Sequence, residues 1–385
     1  MFAIPLAWLQ LLRERIRLLI ALAGIGFAVI LMFIQLGFQD ALFDSAVSLH
    51  KNLQGDIFLI SPQSTALIAM RSFSQRRLLQ ALGFPGVDSI SPIYLDFALW
   101  KNPENQQTRG ILVIGFDPAD QVFSPTLVPD VSPVQLPDVV LFDRKSREEF
   151  GPIAQLYSTG QPVQTEVAGR RVTVGGLFEL GASFGADGNI ITSDLNFVRL
   201  FERRDKGLID VGAVVLKPGT DLAQTLTAMR AELQDKTNDV RVLSKAEFIE
   251  FEKNYWQSST AIGFIFTLGT AIGFLVGTII VYQILYTDIT DHLPEYATLK
   301  AMGYTNFYLL RLVFQEALIL AILGYIPGLL LSIGLYTLTR NATALPVMMT
   351  SERALLVLVL TIIMCVASGA LAVRKVQQAD PADIF

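Results

Sequence analysis

Four long stretches of this chain carry no charged residue: 18–38, 257–287, 317–339 and 354–373. Each reaches the roughly 20 apolar residues that a helix needs to cross a bilayer core. A charge at mid-bilayer costs about 2.5–3.5 kcal/mol on insertion scales. Windows kept this clear of charge therefore predict four membrane helices. Between the first and second windows the pattern changes to short apolar runs broken by Pro and Gly. Residues 55–61, 91–100, 109–116, 138–142, 211–219 and 239–244 read as strands, and 165–180 as a hairpin turning near Gly169. Residues 220–234 read as a helix that Thr220 or Asp221 caps, with Leu222, Leu226 and Met229 as its buried stripe. Residues 245–256 read as a helix running into the second span. Thr65–Leu82 reads as a further helix with Leu67, Met70, Leu78 and Leu82 inward. The expected fold is an integral membrane α-helical protein of four transmembrane helices, with a large α+β domain inserted between helices 1 and 2.

Composition agrees with that division. The chain has 385 residues, 52% hydrophobic and 17% charged, whereas soluble domains carry about 25% charged residues. The first window is longer than the ~7–15-residue core of a signal peptide, and no small-residue cleavage site follows closely. It is expected to stay as an anchor. Arg13, Arg15 and Arg17 precede it, and Arg374 and Lys375 follow the last window, against Arg340 and Arg353 beside the short loop between spans 3 and 4. Basic flanks favour the cytoplasmic side, so both termini are expected there.

The organisation that follows is residues 1–17 as a cytoplasmic segment, 18–38 as span 1 and 39–256 as an external domain. Then come 257–287 as span 2 with its extensions, 288–308 as a cytoplasmic segment and 309–339 as span 3. Residues 340–353 form a short external loop, 354–373 span 4 and 374–385 a cytoplasmic tail. The first segment is apolar on one side, with Phe2, Leu6 and Leu9 at helical spacing. It reads either as an amphipathic helix on the membrane surface or as an extension of span 1. The only cysteine is Cys365, inside span 4, so the external domain stands without a disulfide. The net charge of −5 argues against nucleic acid as a partner.

The residues offer little catalytic chemistry. A P-loop needs Gly-Lys to cradle phosphate, and the chain has no such pair. Gly181-Ala182-Ser183-Phe184-Gly185 fits G-x-S-x-G, which works only at a strand-to-helix elbow with a histidine near. The two histidines are His50 and His292, the latter on the opposite side by topology. Asp187 and Asp194 flank that loop and read as solvated turn residues. Two histidines and one cysteine supply no metal cluster. No catalytic residue, cofactor or metal is expected.

Two other patterns stand out. Gly269, Gly273 and Gly277 repeat along one helix face. Small residues let helix backbones approach closely in lipid, so this face serves either the chain's own spans or a second copy. Span 3 carries Gly324 and Gly328 around Pro327, the setting for a local kink. Pro294 to Gly303 is a compact semi-polar unit between spans 2 and 3. Pro294 suits a first helical turn, Glu295 the positive helix end, Lys300 the negative end, and Gly303 a left-handed stop. Tyr296, Leu299, Lys300 and Gly303 share a face. Glu316 either snorkels to the interface or holds the internal helix.

Glu295–Leu320, "EYATLKAMGYTNFYLLRLVFQEALIL", resembles the E-x-x-x-L-K-A-x-G…E-A signature of FtsX/MacB-type (type VII) ABC permeases. Glu295, Leu299, Lys300, Ala301, Gly303, Glu316 and Ala317 take the matching positions. The closing "ADPADIF", "KPGTDLAQTL" and "VLSKAEF" are similar to that family. "LISPQSTALIAMRSFSQRRLLQA" and "IGFDP" look closest to its DevC branch, the permeases of cyanobacterial DevBCA exporters. Where many relatives have an arginine-rich run before the glutamate, this chain has Asp288, Asp291 and Pro294.

The resemblance implies a non-catalytic, homodimeric permease subunit of the inner membrane. ATP is bound by a separate ABC ATPase (DevA-like). That subunit docks on a coupling helix comprising Pro294, Glu295, Tyr296, Leu299, Lys300, Ala301, Met302 and Gly303. It further implies a membrane-fusion protein (DevB-like), a TolC-like outer-membrane channel, contact with membrane lipids, and heterocyst glycolipid or another amphiphile as cargo. Alternatives within the superfamily are a lipoprotein-release permease and an FtsX-like transducer that regulates a periplasmic hydrolase.

Overall fold

The computed structural model describes residues 15–205, 207–295, 298, 302–343 and 345–378. The chain divides into two compact units. One comprises residues 1–41, 261–343 and 347–385, and the other residues 42–260 and 344–346.

The first unit is helical. Among the described residues, four helices are long and apolar enough to cross a membrane, and they lie in α1 (Arg15–Ala46), α8 (Ala261–Asp291), α9 (Asn306–Thr343) and α10 (Ser351–Gln378). Glycines set how closely they approach. A Cβ on Gly273 would touch Leu31 and Met32 of α1. One on Gly277 would lie 2.7 Å from Ala28 Cβ and overlap Met364 of α10. Gly269 packs on Gln35. The Gly269/273/277 face of α8 thus packs within the chain, against α1 and α10. In α9, which runs on through Pro327, Gly324 and Gly328 lie against Ile25 and Val29 of α1.

The second unit is the α+β domain. Its sheet follows the order β11-β1-β10-β3-β4-β8-β5-β7-β6. Here β1 is Ile57–Ile60, β3 Val87–Lys101, β4 Thr108–Phe116, β5 Val139–Asp143, β6 Gln164–Val167, β7 Arg170–Phe178, β8 Asn189–Ser193, β10 Val211–Leu216 and β11 Arg241–Ser244. Strand β3 is long enough to serve two partners in turn. Its first part pairs with β10, its second with β4, and Trp100 pairs with Val167 of β6. That last pairing closes β3, β4, β8, β5, β7 and β6 into a ring. The central strands are covered on both faces. Ile57 and Leu59 enter one core with Trp100, Phe142 and Met229, while Phe58 and Ile60 enter another with Ile114 and Phe248.

Three elements differ from the sequence expectation. Thr65–Leu82 is not one helix but a 3-10 turn (Leu67–Ala69), strand β2 (Phe73–Ser74) and helix α3 (Gln75–Ala81). Phe73 is drawn into pairing with Ile209 of β9 (Leu208–Ile209), and that tertiary contact overrides the helical period. Leu67 and Leu78 are buried as expected, but Leu82 is exposed. Helix α6 (Leu222–Met229) is capped by Asp221, whose carboxylate accepts from the N–H groups of Ala223 and Gln224. Its inward residues are Thr225 and Met229, continued by Leu233 in the π-helical turn Arg230–Asp235, with Leu226 half-buried and Leu222 exposed. Helix α7 (Lys245–Asn254) opens on a Ser244/Glu247 capping box. It does not run straight into span 2, because a π-helical turn (Tyr255–Ser259) and an extended Thr260 intervene.

Overpacking a close helix contact costs typically about 1–3 kcal/mol. Gly277→Leu is therefore expected to lower the thermal midpoint of the detergent-solubilised chain by several degrees. Gly334→Ala, where nothing lies within 4 Å of a built Cβ, leaves it unchanged or slightly higher.

Candidate functional site

The segment between α8 and α9 begins in a helical turn. Glu295 N–H donates to His292 O, and the Thr298 hydroxyl donates to Pro294 O at 2.8 Å. Met302 N–H donates to Thr298 O, and Gly303 then takes φ +96°, left-handed space that favours glycine. Pro294, Glu295, Met302 and Gly303 are all exposed. Tyr296, Leu299, Lys300 and Ala301 lie outside the described residues, as do residues 1–14 and the tail from 379. Directly after Gly303 comes an aromatic patch of exposed Tyr304, Phe307 and Tyr308, the two tyrosine rings 4.7 Å apart.

Beneath this segment the helices meet at a cluster of charges. Glu316 of α9 is 2% exposed. Its carboxyl hydrogen-bonds Asp288 at the end of α8, with Arg17 of α1 close by. Arg17 bonds Asp291 and lies 3.6 Å from Asp288, and His292 Nδ1 lies 2.9 Å from Asp288 O. A second clamp joins α1 to α10 farther along. The Arg353 guanidinium donates to Asp40 at 2.6 and 3.1 Å and to Met348 O, and sits over the Tyr336 ring. Sequence reasoning used Arg17 and Arg353 only as topology markers and missed both clamps. Their signal was a charge at the margin of each charge-free window.

The α+β domain has its own buried polar joint. His50 lies on α2 (Ser48–Asn52), just beyond α1, and Glu252 on α7, shortly before span 2. Both are essentially inaccessible to solvent. Glu252 accepts from Leu67 N–H at 2.7 Å through Oε2 and from the Trp256 indole N–H at 2.8 Å through Oε1. Burial pushes the Glu252 carboxyl up to about 7, against two hydrogen bonds that pull it down. Burial pushes the His50 imidazole down to about 3.

The Gly181–Gly185 stretch lies in the loop between β7 and β8, not at a strand-to-helix elbow. The Ser183 hydroxyl accepts from Ala186 N–H. Gly185 lets the loop pack on Ile68 and Trp256. Among the described residues no group of three or more His, Cys, Asp or Glu is placed to hold a metal ion.

Residues 267–381 match the FtsX-like permease C-terminal family. The part of the chain that runs from within α8 to beyond α10 is thus similar to an FtsX-like permease C-terminal domain. No curated protein is significantly similar to the chain. Solved structures similar to the chain include the periplasmic region of MacB from Actinobacillus actinomycetemcomitans, at 9% identity and TM-score 0.36, covering 53% of this chain and 94% of that one. The extracellular domain of the noncanonic ABC-type transporter YknZ from Gram-positive bacteria is 14% identical, with TM-score 0.34, covering 49% and 100%. A domain of a putative permease from Porphyromonas gingivalis is 17% identical, with TM-score 0.29, covering 51% and 90%.

The Glu252 shift fixes a pH dependence. A carboxyl raised from 4.5 to about 7 on folding binds a proton that the unfolded chain has already lost. Its stabilising effect is present at low pH and lost as pH rises through 7. His50 acts oppositely, and only below its unfolded value of 6.5. Between pH 6.5 and 8.5 the wild-type chain should therefore lose about 1 kcal/mol through Glu252, a loss that Glu252→Gln removes. Thermal unfolding in nanodiscs at the two pH values checks this.

Proposed function

We propose that the chain is the membrane subunit of a type VII ABC exporter, turning ATP-driven movement on the cytoplasmic side into movement of its external domain. The observation that carries this reading is the match of residues 267–381 to an FtsX-like permease domain. That span encloses Pro294, Glu295, Met302 and Gly303, all of them exposed. The chain has no Gly-Lys pair, so the nucleotide site belongs to a partner ATPase. Exposed Met302, Tyr304, Phe307 and Tyr308 suit a protein partner, since aromatic residues and Met are enriched at interfaces.

The Arg17–Asp288–Glu316 cluster supports transmission. It fastens the foot of α1 to the two helices flanking the coupling segment, and α1 leads on to the external domain. Both termini are cytoplasmic in this reading, in keeping with the Arg13/Arg15/Arg17 and Arg374/Lys375 flanks. The subunit works as a homodimer in the inner membrane with a membrane-fusion protein and a TolC-like channel, and moves glycolipid or another amphiphile. The cargo and the adaptor rest on the DevC-like stretches of the sequence.

Gly303→Glu or Leu299→Glu is expected to leave membrane insertion intact and to weaken copurification of the ATPase by roughly tenfold or more, the scale of a lost interface anchor. Wild-type recovery of the ATPase with these variants would count against the coupling assignment. Copurification of an adaptor and a TolC-like channel supports export. Recovery of a periplasmic hydrolase alone would replace export with an FtsX-like transducer.

A further inference from the structure

The joint at His50 and Glu252 holds a hydrogen bond that is nearly made. Glu252 Oε2 lies 3.6 Å from His50 Nε2, and bonds of this type form at about 2.7–3.2 Å. Closing roughly half an ångström would complete it. Neither ring nitrogen of His50 has a protein hydrogen-bond partner. The ring is held in place by Phe248, its centroid 4.4 Å away.

We propose that Glu252 is a proton-operated latch between the two helices that support the external domain: protonated, it donates its Oε2 hydrogen to Nε2 of His50 and ties α2 to α7, and ionised, it keeps only Leu67 and Trp256 as partners. The proton comes from solvent and stays on the carboxyl, and the imidazole acts as acceptor throughout. The imidazole suits that role because burial keeps it neutral above about pH 3. The carboxyl gains and loses its proton near neutrality.

The groups facing the pair are few. From the 3-10 turn comes the backbone N–H of Leu67, and from the π-helical turn the Trp256 indole. Strand β1 contributes Phe58, stacked on Phe248. On α2, Lys51 turns outward to Asp44. On α7, Glu247 is engaged by Arg230. In the neighbouring glycine loop, Asp187 is engaged by Arg109 and Arg147. Burial is what shifts both groups, and no charged side chain contributes to either.

The latch sits where it can act on span 2. Trp256 is held by Glu252 on one side, and its carbonyl takes the Thr260 hydroxyl on the other. Thr260 is the extended residue at which the helical path breaks before α8. Trp256 stays bonded in both states, and a change of charge at Glu252 changes the strength of the bond that grips the last turn before the span.

Trp256 reports on the carboxyl directly. The full chain in nanodiscs is titrated from pH 5 to 9 by tryptophan emission, with Trp256→Phe as the blank. One transition near pH 7 is expected, absent from Glu252→Gln. His50→Phe removes the acceptor of the protonated form and should lower the midpoint by about one unit. His50→Gln, whose amide oxygen accepts the same hydrogen, restores it. Should His50→Phe not fold, His50→Leu provides the acceptor-less comparison. A flat titration, a transition that survives Glu252→Gln, or a midpoint indifferent to loss of the imidazole overturns the latch. All these readouts come from the chain alone, so they stand or fall separately from ATPase coupling.

Discussion

Close backbone approach around α1 is the constraint on which the membrane unit depends. Lipid gives helices no hydrophobic reason to associate, so packing has to come from fit. Much of the fit here is supplied by glycines on α8 and α9 that lie opposite side chains of α1: Gly273 opposite Leu31 and Met32, Gly324 opposite Ile25, and Gly328 opposite Val29. Helix α1 is the most enclosed of the four spans and α8 the least. With α1 seated among its neighbours, the charges at its ends can be paired. Arg17 and Asp40 then act as end fastenings that resist sliding of α1 along its own axis.

The α+β domain is joined to this unit through chain segments of different character. Helix α1 passes the boundary between the units without interruption, ending at Ala46. The way back passes through a π-helical turn and an extended residue. Irregular turns of this sort recur at functional positions. Of these two connections the first is continuous and the second is jointed, and the jointed one is gripped by the buried carboxyl of Glu252, while residues 344–346 make a further, short crossing between α9 and α10.

Much of the architecture was legible in the sequence. The four charge-free windows correspond to α1, α8, α9 and α10, and the strand–helix alternation of 39–256 corresponds to the α+β domain. What stayed hidden had physical causes. Thr65–Leu82 has a helical period that loses to a strand pairing at Phe73 that no local pattern announces. Strand β8 was missed because "NIITS" is short, and its burial comes from flanking strands β4 and β5. Gly303 could be read as a left-handed stop from its residue type, and it takes φ +96°. The His50–Glu252 joint was not legible, because its members are some 200 residues apart in sequence and become neighbours only when α2 packs on α7.

Strand β3 has a mechanical consequence. It is a single unbroken strand, Val87–Lys101, whose early residues belong to the ladder with β10 and whose late residues help to close the ring. Because β1 is hydrogen-bonded to β10 and to β11, the strand that leads into α7 is itself connected to β3 across the sheet. A displacement delivered at α7 would not have to cross a loop to reach the ring. It would travel as a shear along consecutive hydrogen-bonded ladders and then lengthwise down β3, which behaves as a tie-rod between the two halves of the domain.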